Sequence, residues 1–96
     1  MIISFKGDDT EAIFHGKQTQ GARRKCPQQL WKVVHRKLDA LSAASRLDDL
    51  KAPGNNLERL KGDRVGQHCI RINEKYRICF TWTQAGVERV EITDYH

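Results

Sequence analysis

The sequence has no long run of apolar residues, and this absence excludes one class of protein. Hydrophobic side chains make up 39% of the 96 residues, but no stretch approaches the roughly 20 apolar residues of a membrane-spanning helix. The start, MIISFKGDD, lacks the basic segment followed by an apolar segment that marks a signal peptide. We therefore expect one globular domain, residues 1–96, built around one core.

Cysteine and histidine are too few and too scattered to indicate a metal site. The three cysteines, Cys26, Cys69 and Cys79, show no CxxC spacing, and the four histidines do not pair at the spacing of zinc ligands. An odd number of cysteines without an export signal favours reduced thiols in the cytoplasm. We therefore expect a cytoplasmic protein that uses no metal or cofactor.

Acidic residues are absent between Gly16 and Leu38, in a chain whose formal net charge is +5. Clustered positive charge favours a polyanionic partner, such as nucleic acid, a ribosome or an acidic protein segment. The alternative is a solvated helix face that binds no partner. The basic residues of this segment are Lys17, Arg23, Arg24, Lys25, Lys32, Arg36 and Lys37.

Apolar spacing predicts helices in the first half of the chain. Ile2–Phe5 is short and apolar, as in a strand, and a short helix capped by Asp9 or Thr10 should end at Gly16. A longer helix follows Pro27, because apolar residues recur there at spacings of four, four and three. That stripe consists of Leu30, Val34, Leu38 and Leu41.

The second half predicts strands after the loop signal PGNN, residues 53–56. The segments LERLK, HCIRI, YRICFTW and VERVEITDYH are joined by short turns, which is typical of an antiparallel meander. The expected fold is α+β, with two N-terminal helices packed on an antiparallel-dominated sheet in the order β-α-α-β-β-β-β.

Alternation along these strands predicts a sheet with two different faces. One face is apolar and should meet the helices, since it carries Ile70, Ile72, Tyr76, Ile78, Phe80, Trp82, Val90 and Ile92. The other should be basic, polar and uncovered, since it carries Cys69, Arg71, Arg77, Cys79, Arg89, Glu91, Thr93 and Tyr95. The alternative is that Tyr95 covers the sheet edge and that Arg77 pairs with Glu91.

The residues expected on or near this polar face suit RNA cleavage without a metal. Such cleavage needs a base for the 2′-hydroxyl, an acid for the leaving 5′-oxygen and cations at the phosphate. Lys61 and Arg77 provide cations, and arginine binds phosphate through two donors. The acid and base roles stay open among Glu58, Asp94, Tyr95 and His96, of which a histidine titrates closest to neutral pH.

The segment PGNNLERLKGDRVGQHCIRINEKYRICFTW, residues 53–82, together with VEITDYH at the end, resembles the HigB branch of the RelE/ParE toxin superfamily. The motifs LKGDR, YRICF and the closing DYH carry the resemblance, and the N-terminal MIISF fits it too. The resemblance implies a RelE-like fold and a toxin that cuts mRNA in the ribosomal A site. It also implies a HigA-type antitoxin with a helix-turn-helix domain, which neutralises the toxin and carries the complex to operator DNA.

Carried over by position, the resemblance implies that Lys61 and Arg77 stabilise phosphate and that Asp94, Tyr95 and His96 form the catalytic set. The RNA- or ribosome-binding residues it implies are Arg23, Arg24, Lys25, Lys32, Arg36, Lys37 and Arg71.

One position departs from the family pattern. Many HigB proteins carry a histidine three residues before the lysine of LKGDR, and this chain has Glu58 there. A carboxylate can act as a base but repels phosphate, so the acid and base assignment stays open. Glu58 could instead pair with Arg59 or Lys61. Two other functions stay open: a non-catalytic ParE-like toxin that poisons DNA gyrase, and a ribosome- or RNA-binding growth inhibitor.

Overall fold

A computed structural model describes residues 1–94 and has the expected α+β architecture. Within these residues, three α-helices precede the sheet: α1 spans Asp8–Phe14, α2 spans Gln20–Lys25 and α3 spans Trp31–Ala43. The strands are β1, Glu58–Arg59, β2, His68–Arg71, β3, Tyr76–Trp82, and β4, Val87–Asp94. They pair antiparallel in the order β1-β2-β3-β4. No helix in residues 1–94 has the length and hydropathy needed to cross a membrane.

The core lies between α3 and the apolar face of the sheet. Leu30 of the predicted stripe lies half-buried in a 3₁₀ turn before α3. The other three residues, Val34, Leu38 and Leu41, are confirmed, since they are fully buried in α3. They belong to one apolar cluster with Ile78 and Phe80 of β3. Burying such a side chain contributes about 1.5–3 kcal/mol. This packing fixes which face of the sheet is covered by helices.

Helix α2 is one helix more than the sequence predicted. It buries Ala22, which is too little for an apolar stripe. The signal for its start is Thr19, whose hydroxyl accepts a hydrogen bond from the Ala22 amide at 3.0 Å. An extended break at Cys26 and Pro27 separates α2 from α3. The basic residues expected on one helix therefore lie on two.

The N-terminal segment runs beside β4. In the described residues it forms two isolated parallel bridges, Ile2 with Val87 and Phe5 with Val90, instead of the predicted strand. The backbone of Val90 donates to Ser4 O at 3.1 Å. This segment therefore covers the edge of β4 that does not pair with β3.

Helix α1 is held against the same edge. Its N-cap is Gly7 rather than Asp9 or Thr10. Thr10 is buried instead, and its hydroxyl accepts a hydrogen bond from the Ile92 amide at 3.0 Å. The predicted end is confirmed, since α1 stops just before Gly16, whose φ is 74°.

The two faces predicted from alternation are present in β2 and β3, and a bulge interrupts them in β4. Glu88 lies opposite Thr81, whereas Glu91 lies opposite Cys79, so Arg89 and Val90 together face one residue of β3. Arg89 has a φ of 55°, as in a bulge residue. The register therefore no longer supports the expected place of Arg89 beside Arg77.

Lys37 ties α3 to the end of β2. Its ammonium donates to Asn55 Oδ1 at 2.9 Å, Arg71 O at 2.5 Å and Gly54 O at 3.5 Å. Burial, and then the charges of Arg36 and Arg71, lower the pKa of Lys37. These bonds favour a structural role for Lys37 over the RNA-binding role expected from the sequence.

We expect Lys37→Met to lower the free energy of unfolding by about 1–3 kcal/mol, because it keeps the aliphatic stem and removes the donor from three acceptors. Chemical denaturation measures the change. Lys51→Met is the matched control, since its ammonium sits in an exposed pair with Asp48 at 3.3 Å and should matter little. Equal effects of the two substitutions would contradict the role of Lys37.

The ionisation of Cys26 makes the free energy of unfolding depend on pH in the alkaline range. Burial raises the pKa of its thiol from 9.0 to about 11. Between these values the folded chain keeps a proton that the unfolded chain loses, so stability falls as pH rises through this window. We expect Cys26→Ala to flatten this decline, as measured by urea unfolding from about pH 8 to about pH 11. Parallel curves for the two proteins would contradict this origin.

Candidate active site

The face of the sheet that points away from the helices holds two rows of residues. In the first row, Arg71 lies opposite Arg77, and Arg77 lies opposite Thr93. Like charges directly opposite each other in a sheet are destabilising. The row therefore brings two arginine side chains together on this face.

The second row runs from Glu58 through Cys69 and Cys79 to Glu91, each directly opposite the next. Alternation had predicted that this row is uncovered, but the middle of the row is buried. Cys69 and Cys79 are 0% and 1% exposed and form a small apolar cluster with Leu60. Hydrogen bonding with the Cys79 thiol, and then burial, raise the pKa of Cys69. The two thiols are therefore packing groups beneath the site.

Glu91 ends this row as a buried carboxylate, with a residue exposure of 7%. Arg64 Nη2 donates to its Oε1 at 3.0 Å. Lys6 and Lys25 add ammonium groups at 3.9 and 4.0 Å. A buried charge that loses its partner costs about 3–5 kcal/mol. Glu91 therefore requires cations around it, and the sequence interpretation had offered it only Arg77.

The loop between β1 and β2 holds Lys61 near its start and contacts this face through Arg64. Its ends are joined by a hydrogen bond from Leu60 N to Gln67 O at 2.9 Å. A short 3₁₀ turn, Gly62–Arg64, fills the loop, and Lys61 is its N-cap. Lys61 is exposed, and among residues 1–94 its ammonium has no hydrogen bond or ion pair. It is therefore available to an anion.

Arg77 leaves the sheet beside the turn between β2 and β3. Its Nη1 donates to the backbone oxygen of Asn73 and to Tyr76 O, the latter at 3.1 Å. The side chain is partly buried. These bonds hold the guanidinium near the end of the first row and orient it.

The acid and base candidates occupy different places. Glu58 is exposed on β1, and within residues 1–94 it forms no ion pair with Arg59 or Lys61. Asp94 lies opposite Tyr76, and by this register it belongs to the face opposite to that of Arg77. Its carboxylate lies 3.6 Å from Lys75 Nζ. Tyr95 and His96 lie outside the described residues, so their catalytic roles stay predictions.

The basic residues of the N-terminal half fall into two groups. Arg23 and Arg24 on α2, with Lys32 and Arg36 on α3, are exposed. Lys25 turns to Glu91, and Lys37 is engaged within the fold. The first group is available to a polyanion.

Arg64 is the site residue that the sequence interpretation missed. It stands in LKGDR, where Lys61 was selected as the phosphate ligand. The available signal was Glu91, an acid on a strand whose neighbours Val90 and Ile92 are buried. A buried acid needs a cation, but its choice depends on how the loop folds. Across residues 1–94, no group of three or more His, Cys, Asp or Glu side chains is arranged to hold a metal ion.

Known proteins of similar sequence and fold give the context of this face. The model of a family of HigB-like toxins, described as the RelE-like toxin of type II toxin–antitoxin system HigB, matches residues 4–96. Toxin HigB-1 of Vibrio cholerae is 34% identical over 100% of this chain and 98% of its own length. Endoribonuclease HigB of Proteus vulgaris is 29% identical over 100% of both chains.

Solved structures support the fold. A chain of the YoeB–YefM complex from Staphylococcus aureus covers 100% of this chain with a TM-score of 0.61 and 14% identity, and 98% of that chain is covered. A YoeB dimer from the same organism gives a TM-score of 0.60 at 15% identity, covering 99% of this chain and 94% of that chain. Identities this low show the fold alone. The matched family model and the Vibrio relative show that the chain belongs to the HigB-like toxins of the RelE-like type II toxin–antitoxin family.

Proposed function

We propose that this toxin is an mRNA endoribonuclease that acts in the ribosomal A site and stops translation. The observation that carries the proposal is the concentration of cations on the sheet face opposite the helices. Arg71 and Arg77 lie directly opposite each other there, and the adjoining loop adds the exposed Lys61. The name of the Proteus vulgaris relative, an endoribonuclease, supports the same reaction.

The proposed chemistry needs no metal ion. Lys61 and Arg77 bind the scissile phosphate and stabilise the negative charge that builds on it during attack by the 2′-oxygen. A base removes the 2′-hydroxyl proton and an acid protonates the 5′-oxygen as its bond to phosphorus breaks. These two roles belong to the set Glu58, Tyr95 and His96, since the register of β4 places Asp94 on the face away from Arg77. Glu58 is suited to the base role, since its carboxylate is exposed on β1.

The proposed partners follow from charge and family. The exposed basic residues of α2 and α3 contact ribosomal RNA while the sheet face receives mRNA. A HigA-type antitoxin with a helix-turn-helix domain neutralises the toxin, and operator DNA is bound through that complex. The YoeB–YefM toxin–antitoxin complex, in which a chain of similar fold is found, supports an antitoxin partner. The protein acts in the cytoplasm, where its ribosome substrate is.

The experiment that tests the proposal is mRNA cleavage by the purified chain, with and without ribosomes programmed with that mRNA. We expect cuts in the A-site codon that require the ribosome and persist in EDTA when ribosome integrity is matched between samples. Growth arrest in cells without any cleavage would overturn the nuclease and favour gyrase poisoning or ribosome binding. Cleavage of free mRNA would overturn the ribosome dependence.

Within that assay, we expect Arg77→Ala to lower the cleavage rate by about 10²-fold or more, the scale for losing one donor to a developing negative charge. Arg77→Lys keeps the charge but loses the second donor, so it should retain part of the rate. Lys51→Ala is the control, since this exposed lysine lies outside the site. Wild-type cleavage by Arg77→Ala would show that the site is placed wrongly.

We expect the exposed arginines of α2 to act in binding rather than in chemistry. The double substitution Arg23→Glu with Arg24→Glu should weaken ribosome affinity and reduce its dependence on salt, because two RNA contacts are lost. Filter binding at several salt concentrations measures both effects. The double variant Asp48→Lys with Lys51→Asp exchanges the charges of an exposed pair, keeps the net charge of the protein and serves as the control. Unchanged affinity in the α2 variant would show that these arginines are solvated surface residues that do not bind the ribosome.

A further inference from the structure

We infer that Arg64 is a positioning residue that holds the Lys61 loop over the sheet by bonding to β4. The inference rests on the proposed function and assigns a role to a residue that the proposed chemistry does not use. Arg64 does not act on the phosphate itself. It sets where the Lys61 ammonium stands.

The bonds of Arg64 connect distant parts of the chain. Its Nη1 donates to Gln67 Oε1 at 3.1 Å, within its own loop. Its Nη2 donates to Glu91 Oε1 at 3.0 Å and to Thr93 Oγ1 at 3.2 Å, both on β4. The guanidinium therefore joins the loop to the last strand through two of its nitrogens.

The bonds from Arg64 to β4 reach across an intervening strand. Arg64 comes from the loop between β1 and β2, and its partners lie on β4, with β3 in between. Neighbouring strands are about 4.8 Å apart, so roughly 10 Å separates β2 from β4. The loop must therefore extend over the sheet face toward β4 for the bond to form. In this position the loop also covers the buried thiols of Cys69 and Cys79.

The position of Lys61 depends on that of Arg64 because only two residues of one tight turn separate them. Arg64 N donates back to Lys61 O at 3.3 Å, and Val65 N donates to Gly62 O at 3.1 Å. A shift of the Arg64 guanidinium is transmitted through this turn to Lys61. A misplacement of about 1 Å at a reacting group can cost about 10²-fold in rate.

Glu91 keeps two other cations beside it when Arg64 is removed. Its carboxylate is buried and has two further cations, Lys6 and Lys25, at 3.9 and 4.0 Å. When Arg64 is removed these ammonium groups still balance the charge, so the domain keeps its fold. Neither lysine bonds Thr93 or belongs to the loop, so neither replaces the anchor.

The test is a double-mutant cycle on single-turnover cleavage of ribosome-bound mRNA, with Arg64→Ala, Lys61→Ala and the two combined. We expect Arg64→Ala to lower the rate by about 10-fold to 10²-fold in the wild-type background. In the Lys61→Ala background it should lower the rate by less than about 3-fold, since the group it positions is gone. Arg64→Lys should restore part of the rate, and Arg59→Ala, an exposed neighbour on β1, is the control.

A second measurement reads the loop position without activity. Hydrogen exchange of the Arg64, Val65 and Gln67 amides should be faster in Arg64→Ala and in Glu91→Gln, while exchange in β3 stays unchanged. Global acceleration would show that Arg64 stabilises the whole domain and would overturn the inference. Unchanged exchange in the loop would overturn it as well.

The outcomes separate this inference from the proposed function. Equal losses from Arg64→Ala in both backgrounds would overturn the inference, because Arg64 would then act independently of Lys61, and the nuclease would stand. If the wild-type chain cleaves nothing, the proposed function fails, and loop exchange alone decides whether Arg64 holds Lys61.

Discussion

The antiparallel pairing of β2, β3 and β4 governs both the core and the candidate site of this domain. Because side chains alternate, the pairing that sends Ile70, Ile78 and Ile92 to the helices must send their neighbours to the other side. A slip of one residue would bury arginines and expose the core. The apolar packing that stabilises the fold therefore also fixes the register of Arg71 with Arg77.

The same register determines the charge on the other face of the sheet. Two arginines lie directly opposite each other, and like charges at such positions repel. The buried carboxylate of Glu91 lies in the neighbouring row and is already matched by Arg64, Lys6 and Lys25. Glu91 and its cations form the part of this face that holds the fold, and the arginine pair belongs to the candidate site.

Local sequence signals predicted much of the fold because they act over a few residues. The stripe of α3 was predictable from helical spacing, and the loop at Pro53 from its turn residues. Helix α2 was missed because it buries little more than Ala22, and the N-terminal segment forms bridges because its pairing partner is distant in sequence. The bulge at Arg89 had one signal that was missed, since Val87 and Val90 are three positions apart and break the alternation.

Composition established the basic character, and alternation predicted the two faces of β2 and β3. The resemblance to the HigB family selected Lys61 and Arg77 as candidates. The contact of Arg64 with Glu91 and the bonds of Lys37 within the fold were visible only once the chain was folded. These contacts join residues 27 and 34 positions apart. From the sequence alone, the long side chain of a lysine or arginine could bond to many different acceptors. The folded chain determines which of these acceptors lies next to it.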